Sequence, residues 1–425
     1  MKTPEISRKL VGGILVSDAA GHYPGLELFN YIYGCAEGIL PSEDSPRFVR
    51  TGQDFARRLV WDAEYFANRG MGDSVFVGDE AANVLRHLLK CLQLKVPDRG
   101  STNWEAAHFF PYTRSLIHWD ARNARSQARL EVQIERRYLR GGGALAYKVL
   151  RKDPDPTRLA AIADGFRNLM PDGHATPLEK LSAVLSRRGA RTSPDECEIE
   201  AAAEPWQDDL DDHYRSGVES ILSHRDLSST TRTRAIVNWT GFWLALCQRN
   251  RSAAKLEMEP PKIVIDCGSG PSQLRRESGR ILKEVVSLIG HASQACLPEG
   301  EELKTKARRD LAGFFTRTCA WIGLLNSFSG KRHFVISLDL LEALVLAHTR
   351  VGSEMSYEHF IERVLHQQYG LIIGREAAAS AGLLTRLDAS IFEDNEEAFA
   401  KQLITAGLMH AYSDTTRMVG TRALK

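Results

Sequence analysis

The chain has 425 residues, of which 43% are hydrophobic and 26% charged, and its 55 basic and 54 acidic residues leave a formal net charge of +1. At roughly 100–200 residues per domain, this length predicts two to four domains with sizeable cores. The composition excludes a wholly disordered chain, because disorder requires low hydrophobicity and high net charge. The near-neutral charge also excludes a protein that coats nucleic acid through uniformly basic charge.

Cysteine usage and hydropathy indicate the compartment. The seven cysteines are an odd, scattered set without a Cys-x-x-Cys pair, so neither a disulfide framework nor a structural zinc site is predicted. The apolar stretch at 239–247 is far shorter than the roughly 20 residues of a membrane helix, and the first 16 residues lack the pattern of a signal peptide. We expect a cytoplasmic protein that has no membrane segment and binds no cofactor or metal.

Apolar residues at helical spacing predict a helical first domain over residues 1–95. A second helical domain follows over 96–191, with a long helix over 113–139. That helix ends at three glycines, 141–143, which predict a hinge or, with the basic residues around them, a loop that holds a phosphate. Residues 192–213 carry nine carboxylates and few core-forming residues, which predicts an acidic, solvated linker.

Residues 214–330 are predicted to form a helical core. A helix over 231–248 is apolar nearly all round, which is typical of burial on several sides. A buried strand over 262–267 precedes a helix over 272–289, and another long helix covers 301–325. The predicted class is therefore mainly α, a multi-domain helical protein with a small α/β element around 262–290 and a winged-helix-like domain at its end.

That last domain covers residues 331–425. Ser337 and Ser356 are predicted to cap its first two helices, and Asn395 its third, which ends at Gly407. A short β segment over 371–373 and a hairpin over 408–419 complete an element order that resembles a winged helix. The three helices carry an apolar set of their own, so we expect this module to close a core alone and residues 1–330 to fold without it.

The pattern from Phe334 through residues 369–374 to Gly407 and the Ser413-Asp414 turn resembles the C-terminal module of accessory proteins in prokaryotic anti-phage operons. This resemblance implies a large ATPase or nuclease partner that performs the chemistry, and an assembly that handles nucleic acid. Protein docking is the first interpretation of the module and DNA contact the second. Its third helix begins with acidic residues and holds a single cation, Lys401, whereas phosphate contact requires several.

Clusters of cations are the candidates for nucleic-acid contact, with solvated helix faces as the alternative interpretation. One cluster shares a face of the predicted 113–139 helix, a second begins the 301–325 helix, and a third surrounds the terminal hairpin. The predicted nucleic-acid-binding residues are Arg122, Arg125, Arg129, Lys304, Lys306, Arg308, Arg309, Arg417 and Arg422.

Two enzymatic alternatives stay open. Residues 263–271 resemble the first motif of class I S-adenosylmethionine methyltransferases, which implies cofactor contacts by Asp266, Gly268 and Gly270. Residues 291–295, where such a sheet needs a second strand ending in an acid, show no strand pattern. Asp266, Glu302 and Lys304 together loosely resemble the acid…acid-x-lysine set of metal-dependent restriction nucleases. Since both enzymatic resemblances are partial, we expect a non-catalytic adaptor subunit of a complex that handles nucleic acid.

Overall fold

The structure is a computed structural model that describes residues 1–51, 55–61, 79–94, 107–123, 132–170, 178–180, 190–192, 194–268, 270–412 and 416–421. Helices make up most of these residues, which confirms the mainly α class. In chain order they are α1 (Thr3–Val11), α2 (Tyr23–Gly34), α3 (Phe55–Trp61), α4 (Asp79–Cys91), α5 (Gly142–Arg151), α6 (Pro156–Leu169), α7 (Pro194–Ala201), α8 (Asp209–Ser223), α9 (Ser229–Lys255), α10 (Ser272–Gln294), α11 (Thr305–Trp321), α12 (Leu338–His348), α13 (His359–Gln368, a π-helix), α14 (Arg375–Ser380) and α15 (Ala389–Thr405).

The strands are short. They are β1 (Val49–Thr51), β2 (Ala121–Asn123), β3 (Val132–Ile134), β4 (Ala190–Thr192), β5 (Ile263–Val264), β6 (Met355–Ser356), β7 (Leu371–Ile372), β8 (Met409–Ala411) and β9 (Arg417–Val419). In the described residues β1 pairs with β4 and β2 with β3, both antiparallel, and β5 pairs with β7 in parallel. The remaining three form an antiparallel sheet in the order β6-β9-β8.

Helix α9 lies at the centre of the fold. The Ser228 side chain caps it by accepting a hydrogen bond from the Thr231 amide at 3.1 Å. Residues 235–247 are buried on every side, and the helix packs against α1, α2, α6, α8, α10, α11 and α12. The largest cluster of buried residues runs from Ile6 to Val419, so segments assigned to different predicted domains contribute to one core. The domain boundaries themselves stay a prediction.

The segment over 192–213 is not the solvated linker that its composition predicts. Most of its first half forms α7, on which Glu196 and Glu200 lie four residues apart on one face and are fully buried. Arg151 Nε donates to Glu200 Oε1 at 3.0 Å, and Arg136 donates to Glu196 Oε2 at 2.8 Å. The prediction was wrong because the cations that pair with these carboxylates are distant in sequence.

The segment predicted as one long helix over 113–139 reverses direction instead, with β2 and β3 as an antiparallel pair. Asp120 ties the two ends together, since its Oδ2 accepts hydrogen bonds from the amides of Tyr138 at 2.5 Å and Leu139 at 2.8 Å. Residues 18 apart are separated by about 27 Å in a straight helix, so these bonds exclude one. Apolar spacing does not reveal a reversal that a tertiary hydrogen bond stabilises.

The terminal module begins as predicted, with Ser337 at the N-cap of α12, where its Oγ accepts from the Leu340 amide at 3.3 Å. Helix α12 packs against α8 and α9, and Leu341 and Leu344 are completely buried there. The expectation that residues 1–330 fold without the module is therefore revised. Removing α12 would expose the apolar faces of two central helices.

Helix α15 begins earlier than predicted. Asp388 is its cap and accepts a hydrogen bond from the Ser390 amide at 2.9 Å. Asn395, the predicted cap, lies inside the helix with its side chain fully buried. The helix ends at Thr405, and Gly407 follows with a φ of +70°, a conformation that favours glycine.

Asn395 joins α15 to the β5–β7 pair. Its Nδ2 donates hydrogen bonds to the carbonyls of Ile265 at 2.9 Å and Ile373 at 3.0 Å, and its Oδ1 accepts one from the Cys267 amide at 2.8 Å. These three backbone groups follow the two strands, where the pairing of β5 with β7 ends. The asparagine therefore satisfies polar groups that would otherwise be buried without partners.

Tyr369 joins the terminal module to α9. Its ring lies 6.0 Å from that of Trp239 and 5.3 Å from that of Phe242, between centroids. Its hydroxyl lies 2.8 Å from Nε2 of His348, whose Nδ1 donates to the Leu344 carbonyl at 2.7 Å. The imidazole is therefore neutral and accepts from the tyrosine. Burial lowers the pKa of His348 to about 4.

This half-buried histidine, whose pKa is lowered, predicts a loss of stability in acid. Between an ordinary pKa of about 6.5 and the folded value of about 4, the unfolded chain binds a proton that the folded protein does not. The contribution of His348 is thus complete above about pH 6.5 and falls by about 1.4 kcal/mol per pH unit below it. When the pH falls from about 7 to about 5, the unmodified protein should lose unfolding free energy. The His348→Gln variant should lose about 2 kcal/mol less over the same range.

Urea unfolding at the two pH values measures this difference. The matched control is His291→Gln, at an exposed histidine, which should keep the original pH dependence. Equal pH dependence in His348→Gln and the unmodified protein would contradict the prediction.

Candidate nucleic-acid interface

Helices α10 and α11 form a helical hairpin whose inner faces join the core. Leu274, Ile281 and Val285 recur at helical spacing on the buried side of α10. The connecting loop is held by Gln294, whose Nε2 donates to the Glu301 carbonyl at 2.8 Å and whose Oε1 accepts from the Leu303 amide at 2.7 Å. The outer faces of the two helices are therefore fixed relative to each other.

These outer faces and the following loop carry a cluster of cations, which we call the basic hairpin surface. Its members are Arg276 and Lys283 on α10, Lys304, Lys306, Arg308 and Arg309 around the start of α11, and Lys331 and Arg332 in the next loop. All are exposed except the half-buried Arg332, and across the described ranges none of them forms an ion pair. Four of these cations were predicted from sequence, and the structure adds four more along α10 and in the 326–333 loop.

Two glycines show how closely the parts of this surface approach α10. A Cβ at Gly290 would lie 3.6 Å from the Arg308 side chain, and one at Gly279 would lie 3.1 Å from the Arg332 carbonyl oxygen. Positions 276, 279, 283 and 290 share one face of a helix. Arg276 and Lys283 therefore lie on the face that Arg308 and the 326–333 loop also approach. Their seven-residue spacing in a predicted helix was the sequence signal that could have identified them.

The local charge is strongly positive. Residues 271–333 contain eleven Lys and Arg against six Asp and Glu, a net charge of +5 in a chain of net charge +1. Several of the six acids already have partners. Arg280 forms ion pairs with Glu277 at 2.8 Å and Glu284 at 2.9 Å, and the Ser17 amide donates a hydrogen bond to Asp310 at 3.2 Å. The remaining acids, Glu299, Glu301 and Glu302, lie in the loop between the helices.

The loop over 326–333 is held rigidly. Asn326 Oδ1 accepts from the His333 amide at 2.9 Å, and its Nδ2 donates to the Lys331 carbonyl at 3.3 Å. The loop is fastened to the end of β5 as well, because His333 Nε2 lies 3.2 Å from Asp266 Oδ2, which also accepts from Arg275 Nε at 2.9 Å. Lys331 and Arg332 are thus presented on a fixed backbone.

Of the other predicted cations, two lie in the described residues, Arg122 and Arg417. Arg122 lies in β2, where it pairs with Gln133, and not in the predicted helix. Arg125, Arg129 and Arg422 lie outside the described residues. Arg417 is half-buried, with its guanidinium 5.8 Å from the centre of the Tyr357 ring and 3.4 Å from Glu397, so its charge is already engaged.

The glycines at 141–143 do form an anion site, but the protein fills it with its own carboxylate. Glu27 Oε2 accepts hydrogen bonds from the amides of Gly141 at 3.0 Å and Gly143 at 2.8 Å, at the start of α5. Burial raises the pKa of Glu27, while Arg136, 3.2 Å away, and the two amides favour the ionised form. The loop is therefore a buried junction between α2 and α5 and leaves no place for a phosphate.

The methyltransferase-like loop has few of the parts that cofactor binding requires. Gly268 and Gly270 have positive φ values and open space around them, but the Asp266 carboxylate is engaged by Arg275 and His333. In the described part of the chain, β5 has β7 as its one sheet partner, whereas a cofactor-binding α/β fold needs a doubly wound sheet. Asp266 therefore has a structural role.

The structure does not bring the nuclease-like set together. Asp266 contacts the first turn of α10 through Arg275, whereas Glu302 and Lys304 lie beyond the other end of that helix. A helix of 23 residues spans about 34 Å, so one metal ion cannot contact both ends.

Two buried histidines, His108 and His118, lie near Asp120. Asp120 Oδ1 lies 2.6 Å from His108 Nε2, whereas His118 Nδ1 donates to the Leu116 carbonyl at 2.9 Å. Burial lowers the pKa of His118 well below its ordinary value, so this imidazole is neutral. Among the described residues, no group of three or more His, Cys, Asp or Glu side chains is arranged to hold a metal ion.

The fold and this surface together define a mainly helical protein with a rigid basic surface. No protein-family model matches the chain, and neither a curated protein nor a solved structure matches it. None of the helices in the described ranges is long and apolar enough to cross a membrane.

Proposed function

We propose that this chain is a non-catalytic scaffold subunit that binds nucleic acid through the basic hairpin surface and docks a protein partner through its terminal module. The observation that carries this proposal is a group of mostly exposed cations on a helical hairpin, for which the described residues provide no carboxylate partner. Cations grouped in this way bind polyphosphates with a gain in entropy, because counterions are released from the nucleic acid.

The charge of the terminal module supports a different role for it. Residues 331–425 contain twelve acidic and ten basic residues, a net charge of −2. The helical part, residues 338–405, contains eleven acidic and five basic residues, a net charge of −6. The exposed face of α15 carries Glu393, Asp394 and Glu397, and Lys401 lies 3.9 Å from Glu397. Such a face repels phosphates, which favours protein docking over entry into a DNA groove.

The topology of the module supports its likeness to a winged helix. Helices α12, α13 and α15 are followed by the β8–β9 hairpin, and the early strand β6 pairs with β9. The segment from β7 to α14 is an addition to that order. An ATPase or nuclease as the partner, and an anti-phage setting, are proposals that rest on the sequence resemblance alone.

The first test is binding of mixed-sequence DNA and RNA to the full chain, measured by fluorescence anisotropy over a range of salt concentrations. Reversing four cations together (Lys304→Glu, Lys306→Glu, Arg308→Glu and Arg309→Glu) should remove four phosphate contacts. The slope of log affinity against log salt concentration should then fall by about three to four units.

The matched control reverses four exposed cations of the terminal module, Arg350→Glu, Arg363→Glu, Arg375→Glu and Lys401→Glu, with the same change in net charge. It should retain most of the salt dependence. The proposal fails if the unmodified chain binds neither nucleic acid, or if the two variants lose affinity equally.

A further inference from the structure

The cations of α10 form a regular row. Arg276 and Lys283 are seven residues apart, and Arg308 of α11 lies over Gly290, a further seven residues along. At 1.5 Å per residue these steps are about 10 Å each, and the row spans about 21 Å of a rigid helix. A row of cations whose backbone positions are set by one helix matches a ligand with regularly spaced phosphates.

Exposed aromatic rings do not accompany this row within the described residues. Phe314 and Phe315 of α11 are buried. Trp321 is half-buried and packs between His22 and the half-buried Phe328, at 4.9 Å and 5.7 Å between ring centroids. Proteins that bind single strands stack the bases on exposed aromatic side chains, so this surface lacks their main contact.

The shape of the surface keeps α10 out of a groove. The 326–333 loop crosses its outer face at Gly279, and the Arg308 side chain crosses it at Gly290. The major groove of B-DNA is about 12 Å wide and admits one bare helix. Two packed helices with a loop across one of them measure about 20 Å, which is too wide to reach the base edges.

From these observations we infer that the basic hairpin surface binds double-stranded nucleic acid through its phosphates and does not read its sequence. This inference rests on the proposed function and adds the class of ligand. The rigid row faces the phosphates of one duplex, and α10, about 34 Å long, spans about ten base pairs. Contacts that end at the backbone give affinity and position without sequence preference.

The test compares three fluorescent probes on the full chain: two duplex DNAs of about 20 base pairs with unrelated sequences, and one strand of the first duplex alone. At about 0.1 M salt the two duplexes should bind within about threefold of each other, and the single strand at least about tenfold more weakly. The triple variant Arg276→Glu, Lys283→Glu and Arg308→Glu should weaken duplex binding by about 100-fold.

Two further variants keep the test conclusive. Replacing the same three residues with Gln should weaken binding less than Glu does, while helix content, measured by circular dichroism, is unchanged. Reversing Arg350, Arg363 and Lys401 to Glu gives the same change in charge on the terminal module and should weaken duplex binding by less than about fivefold.

The outcomes separate the two proposals. If the single strand binds as tightly as the duplexes, or one duplex exceeds the other by more than about tenfold, the duplex inference is overturned while nucleic-acid binding stands. If none of the three DNA probes binds, the duplex inference is overturned, and the proposed function is overturned with it when the mixed-sequence RNA does not bind either.

Discussion

Replacing Asn395 with alanine is expected to lower the free energy of unfolding by about 3–5 kcal/mol, because the amide of Cys267 and the carbonyls of Ile265 and Ile373 would be buried without their partner. Asn395→Asp should be no better, since a carboxylate would face the two carbonyl oxygens. Chemical denaturation monitored by circular dichroism measures the change.

The matched control is Asp394→Ala, at an exposed neighbour on the same helix, which should change the unfolding free energy by less than about 0.5 kcal/mol. If both alanine variants are equally stable, Asn395 is a surface residue near the helix start, as its sequence context predicts.

Glu200→Ala should be comparably destabilising, by about 3–5 kcal/mol, because it leaves the fully buried guanidinium of Arg151 without its carboxylate. Glu198 lies two residues away on the same helix and is exposed, so Glu198→Ala is the control. Denaturation curves for both variants test whether the acidic segment is part of the core.

A double variant sharpens this test. Combining Glu200→Ala with Arg151→Met removes both charges, and it should recover part of the stability that Glu200→Ala loses. If Glu200→Ala is no more destabilising than Glu198→Ala, the segment is solvated, as its composition suggests.

Elements that are defined by their own residues could be predicted from the sequence. The all-round apolar pattern of α9 and the serine before α12 both indicate helices without reference to distant residues, and the structure contains both. The four cations at the start of α11 were identified for the same reason, because they are adjacent in sequence and exposed on a helix.

Features that depend on a distant partner could not be predicted. Asn395 stands before two glutamates, which is typical of a helix N-terminus, but its partners are the backbone groups after β5 and β7, and Asp388 provides a second, equally plausible cap. Glu196 and Glu200 have the spacing of a helix face, yet their burial depends on Arg136, 60 residues before Glu196, and on Arg151, 49 residues before Glu200.

The basic hairpin surface shows both cases. Its α11 half is a run of neighbouring cations, whereas its α10 half became evident only when the packing placed Arg308 over Gly290 and the 326–333 loop over Gly279. The sequence pattern alone therefore does not show that α10 and α11 pack side by side in antiparallel directions.

The burial of α1 against α9, α10 and α11 has a consequence for synthesis on the ribosome. About 290 residues separate the end of α1 from the start of α11, so the first helix of this chain leaves the ribosome long before the surfaces that cover it exist. At a synthesis rate of about 5–20 residues per second, the apolar face of α1 stays uncovered by α11 for roughly 15–60 s. During that interval Ile6, Leu10 and Val11 are available to chaperones, and to the same segments of neighbouring nascent chains on one messenger RNA.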